Sequence, residues 1–139
     1  MKSLTIIMMA VLAVAAGACD AEETPAATAE PAVVEPIDGT ELSRIVLTAD
    51  AAQRLDVQTA PVTVVGDRSM VPISAVIIDA EGRRWVYTNP EPQVYLRAEL
   101  GDVLDEGAES FFDTGPEPGT AVVTVGVPEL YGTEFGIGK

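Results

Sequence analysis

Four groups of side chains here could carry chemistry: a lone thiol, a run of carboxylates, a few serines and an arginine–aromatic group. Cys19, the only cysteine, directly follows a short apolar N-terminal segment and precedes an acidic, proline-bearing tract. That placement predicts a lipid anchor on Cys19. The carboxylates Glu99, Asp102, Asp105, Glu106, Glu109 and Asp113 cluster around Gly101 and Gly107, and oxygen-rich loops of this kind can hold calcium. Their spacing departs from an EF-hand loop, which places acids at alternate positions and a bidentate glutamate at the twelfth. A solvated acidic loop without a metal is therefore the expectation, and capture of a cation or cationic small molecule is the alternative. Ser43, Ser69, Ser74 and Ser110 are serines that could act as nucleophiles, but the chain has no histidine, and Lys2 and Lys139 are its only lysines. A serine needs a base within hydrogen-bond reach, so no enzyme activity is expected. Nor do these residue types call for a cofactor.

Arg83, Arg84, Trp85 and Tyr87 combine guanidinium with aromatic rings, as many protein interfaces do. Strand alternation gives a simpler account of two of them, with Trp85 and Tyr87 on one face pointing into a core. Near the C-terminus, Leu130, Tyr131 and Phe135 form an apolar patch around Gly132. This patch either covers a sheet edge or docks on a partner. Arg84, Leu130, Tyr131 and Phe135 are thus the candidate partner contacts.

Lys2 gives the N-terminus a positive charge, an apolar run follows over residues 4–16, and the small residues Ala16, Gly17 and Ala18 lead into Cys19. These are the parts of an export signal over residues 1–18. A membrane-spanning helix needs about 20 apolar residues, and the segment between Lys2 and Asp20 is shorter. It also resembles the lipobox of bacterial lipoproteins, in which a lipid-modified cysteine becomes the mature N-terminus. The resemblance implies acylation of Cys19, and Asp20 implies retention at the outer face of the cytoplasmic membrane. Two or more acyl chains anchor stably where one binds only marginally.

Removing residues 1–18 takes away one lysine and no acid, so the formal charge moves from -14 to -15. So acidic a chain repels phosphate backbones, which excludes nucleic acid as a partner. Anionic headgroups repel it too, leaving membrane association to the acyl anchor.

The elements that must position these groups begin after residue 41. Residues 20–41 are alanine, proline, threonine and acid, with Val33, Val34 and Ile37 as the larger apolar residues. Such a composition predicts a disordered tether, spanning about 26 Å as a flexible coil and up to about 68 Å in a polyproline form. Residues 42–139 make one domain. Thr48 can cap a short helix over residues 49–55, with Asp50 in its first turn and Ala51 and Leu55 on one face. Residues 44–47, 57–65, 70–78, 84–88, 94–100 and 121–127 are rich in β-branched and aromatic residues and are separated by turn residues, which predicts strands. In the fifth of these Val94, Leu96, Ala98 and Leu100 alternate with Gln93, Tyr95, Arg97 and Glu99, predicting one buried and one solvated face. The expected fold is mainly β: a small, partly closed antiparallel barrel with one short helix.

Two stretches together resemble the periplasmic adaptor subunits, or membrane-fusion proteins, of RND-type efflux pumps. The first runs Ile45-Val46-Leu47-Thr48 and then from Ala51 through Gln53-Arg54-Leu55-Asp56-Val57 to Val62. The second runs Val71-Pro72-Ile73-Ser74-Ala75-Val76, then Trp85-Val86-Tyr87, and on to Thr114-Gly115-Pro116-Glu117-Pro118-Gly119-Thr120-Ala121-Val122-Val123-Thr124-Val125-Gly126. In that family the two ends of the chain meet in a membrane-proximal β-domain, with other domains between them. Here Val65-Gly66-Asp67-Arg68 joins the two stretches directly. The resemblance implies this one module, and with it a docking or accessory role beside a transporter.

Overall fold

The computed structural model describes residues 30–137; Cys19 and the export signal lie outside them. Eleven strands form two antiparallel sheets. In chain order they are β1 (Ala32–Pro36), β2 (Ser43–Leu47), β3 (Gln58–Pro61), β4 (Thr63–Val65), β5 (Arg68–Pro72), β6 (Ile77–Ile78), β7 (Arg84–Glu91), β8 (Val94–Leu100), β9 (Leu104–Glu106), β10 (Glu109–Phe112) and β11 (Ala121–Val125). Helix α1 (Ala49–Arg54) follows β2, and helix α2 (Val127–Glu134) follows β11. The larger sheet has the order β1-β2-β8-β7-β11-β3, with β6 also paired to β7, and the smaller has the order β4-β5-β10-β9.

The protein is mainly β and antiparallel, as expected, but the two sheets do not close into a barrel. The larger sheet is instead covered on both faces. Tyr87, Tyr95, Ile45, Leu47 and Val123 point to one side, where they pack with Ala51 of α1 and with Val127 and Leu130 of α2. Val86, Leu100 and Val122 point to the other, where they meet Val71 and Phe112 of the smaller sheet. Two cores therefore share one sheet, each fed by alternate residues of the same strands.

This arrangement corrects the reading of β8. Tyr95 and Arg97, assigned to a solvated face, are both 4 % exposed. They lie beneath helix-side packing that alternation within one strand does not reveal.

The tether boundary also moves. Residues 32–36, expected to be disordered, form β1 and pair with β2 from Ala32 opposite Leu47 to Pro36 opposite Ser43. An edge strand draws its backbone hydrogen bonds from its neighbour and needs no core of its own. Ala32 turns inward onto the helix-side core, and Pro36 is tolerated because one edge is unpaired.

Helix α1 forms where expected, with the Thr48 hydroxyl accepting from the Ala51 N–H at 3.2 Å. Helix α2 replaces the end of a strand expected to reach Val127. Gly126 turns the chain with φ 93°, where an added Cβ would lie 3.2 Å from Val57 Cγ2. Pro128 then opens the helix at a position that suits its fixed φ.

Candidate functional site

The arginine–aromatic group forms a cluster where the β6–β7 connection, β8 and the C-terminal end of α2 meet. Asp79 organises the connection. Its Oδ1 accepts the Arg83 N–H at 2.8 Å and the Glu81 N–H at 3.0 Å, closing the turn that Gly82 completes at φ 82°. Its Oδ2 accepts from Trp85 Nε1 at 2.8 Å and from Arg83 Nε at 2.9 Å. Burial pushes the Asp79 carboxyl up, but the Trp85 indole N–H, the Arg83 backbone N–H and the Arg83 charge together hold it below the usual range.

Trp85 and Tyr87 are buried on one face, as alternation requires. The Arg97 guanidinium lies 4.1 Å from the Trp85 ring centroid and 5.1 Å from that of Phe135. Arg97 Nε sits 3.2 Å from Glu134 Oε2, and the Tyr87 hydroxyl donates to the same oxygen at 2.5 Å. Burial, with the Glu134 carboxylate at its hydroxyl, pushes Tyr87 far above the ordinary phenol range. Arg83 also reaches Glu41 in the β1–β2 connection, with Nη1 to Oε1 at 2.5 Å. That hydrogen bond holds the Glu41 carboxyl low and the Arg83 guanidinium high. A cleft of about 260 Å³ opens among Glu41, Asp79, Arg83, Arg97, Tyr131 and Phe135. Its charges pair with one another, so it is built as a clamp that fastens the β1–β2 connection and the end of α2 to the larger sheet.

The expected contact residues separate. Leu130 is fully buried in the helix-side core and cannot be a contact; it falls on the inward side of α2. Tyr131 is half-buried, whereas Phe135 is 48 % exposed, and their ring centroids lie 4.6 Å apart. Arg84 lies elsewhere, paired with Asp105 of β9.

The carboxylates between Glu99 and Asp113 spread over the β9–β10 hairpin and its flanks. Asp105 accepts from Ser110 Oγ at 2.6 Å as well as from Arg84; these two donors, Ser110 first, lower its carboxyl. Asp113 pairs with Arg68 Nε at 2.8 Å. Among the described residues no three acidic side chains converge as a metal site would require. Ser110 itself is fully buried, out of reach of a substrate.

Sequence reasoning missed Glu134 and Glu41 as members of the cluster. Neither carries a local signal, because each acts only once the chain ends have packed against β7 and β8. No protein-family model, curated protein or solved structure matches the chain.

Proposed function

We propose that this chain is a non-enzymatic, lipid-anchored extracytoplasmic protein that docks beside an efflux transporter as an accessory adaptor. The supporting observation is a pairing. The two sequence stretches that resemble the ends of pump adaptors fold together: β3, from the first, pairs with β11, from the second, between Pro61–Ala121 and Thr59–Val123. Such a union is what the membrane-proximal module of that family requires, and here it arises without the intervening domains.

The position of Cys19 adds to the reading. Only 12 residues separate it from Ala32, where β1 begins. At no more than about 3.6 Å per residue a segment of that length reaches at most about 45 Å, so an anchored domain would stay within that distance of the bilayer. The acidic-loop alternative loses support, since Asp105 and Asp113 are already engaged by Arg84 and Arg68.

The experiment is purification of the full-length protein from detergent-solubilised membranes at native expression, with intact-mass measurement and a Cys19→Ser control. The reading expects acyl mass on Cys19, a co-purifying transporter subunit, and loss of both in the control. Acylation without any transporter subunit would reject the docking role.

A further inference from the structure

The smaller sheet has one face in the core and one in solvent, and the solvent face carries apolar residues between its charged flanks. Its inner residues Val71, Ser110 and Phe112 are buried. On the outer face, register aligns Thr63 with Met70, Met70 with Phe111, and Phe111 with Leu104, a row that crosses all four strands. Directly opposed residues project to the same side, so Met70, Phe111 and Leu104 form a continuous apolar stripe. Val65, two residues from Thr63, extends it. Leu104 is 49 % exposed and Val65 51 %. Met70 and Phe111 pack on neither core.

The charges beside the stripe differ at its two flanks. Toward the β4–β5 turn, Arg68 is neutralised by Asp113 at 2.8 Å. Toward the β9–β10 turn, Glu106 lies directly opposite Glu109, and neither has an ion-pair partner among the described residues. Like charges directly opposed across strands destabilise a sheet. An incoming cation would relieve that repulsion.

We propose that this outer face is the docking face, and that it receives a protein surface presenting an apolar ridge flanked by lysine or arginine at the Glu106–Glu109 end. The proposal deepens the docking function and rests on it for the existence of a partner. A second copy fits poorly, because each chain brings a formal charge of -14 and the same acidic pair. An anionic bilayer is repelled for the same reason.

Photo-crosslinking in the native cell tests it, using the full-length protein with a photoreactive residue in place of Leu104 or Val65. Substitutions at Val33 on β1 and at Phe135 serve as controls. The expected result is adducts with one protein from positions 104 and 65 and not from 33 and 135, through a segment containing lysine or arginine. Adding Glu106→Lys and Glu109→Lys should cut the yield about thirtyfold, the scale of losing one interfacial hot spot. Both glutamates are exposed, so this double variant leaves the core intact. Adducts with a second copy or lipid alone, or a yield unchanged by charge reversal, would overturn the proposal. A transporter adduct from positions 33 or 135 alone would overturn this face while sparing the docking function; a stripe adduct with a protein outside any transporter would do the reverse.

Discussion

Arg97 and Glu134 form an ion pair with side chains only 3 % and 2 % exposed, joining the middle of β8 to the last turn of α2. Desolvating both charges is costly, and the pair persists because its surroundings complete it: the Trp85 ring lies against the guanidinium and the Tyr87 hydroxyl against the carboxylate. Removing one partner strands the other charge. Glu134→Gln is expected to lower stability by about 3–5 kcal/mol. Pairing it with Arg97→Met should recover much of that loss, because no buried charge is then left alone. Urea denaturation followed by fluorescence of Trp85, the single tryptophan, checks both variants.

The turn at Asp79 depends on a carboxylate that accepts from Trp85, Arg83 and Glu81. Asp79→Asn keeps one acceptor oxygen, whereas Asp79→Ala keeps none. The alanine variant should therefore show the lower urea midpoint, with Trp85 emission shifted toward that of exposed indole. Equal midpoints would mean that the turn does not rely on this side chain.

Two residues of the C-terminal segment should respond to truncation in the same direction but to very different extents. Leu130 is fully buried, so Leu130→Ala opens a cavity and should cost about 2–5 kcal/mol. Phe135 is half exposed and touches Arg97 and Tyr131 from outside. Phe135→Ala should cost about 0.5–1 kcal/mol, the scale of an exposed cation–π contact. Thermal melts of the two variants distinguish core from surface.

Stability should fall at both ends of the pH range. The carboxyls of Glu41, Asp79 and Asp105 are held below their ordinary values by hydrogen-bond donors and arginines. The unfolded chain then takes up protons first on acidification, so their contribution is present above pH about 4 and fades below it. Tyr87 and Tyr95 are raised by burial, so the unfolded chain releases their protons first. That contribution is complete below pH about 10 and fades above it. Urea midpoints measured from pH 3 to pH 11 should form a plateau between these limits.

Local patterns made much of the fold legible. Thr48 before Ala51 and Leu55 located α1, and the β-branched and aromatic residues over 84–88 and 94–100 located β7 and β8, though not their pairing. Longer-range effects were not legible. The Ala32–Pro36 stretch is poor in large apolar side chains and becomes a strand only because β2 offers an edge. The eight residues of α2 include Gly132 and the β-branched Val127 and Thr133, which blur its periodicity. Gly126 followed by Pro128 and Glu129 was the available start signal. At the cluster, Trp85 and Tyr87 announced burial by their spacing, but their partners Asp79 and Glu134 come from six and 47 residues away. The apolar stripe of Met70, Phe111 and Leu104 required the register of two strand pairs, β5 with β10 and β10 with β9, which no single segment contains.

The central claim, docking of a Cys19-anchored domain beside a transporter, is tested most directly by crosslinking the tagged full-length protein in intact cells and identifying its membrane neighbours. The account predicts enrichment of one transporter subunit that is lost in the Cys19→Ser variant. A membrane-anchored protein with no transporter subunit among its neighbours would contradict it.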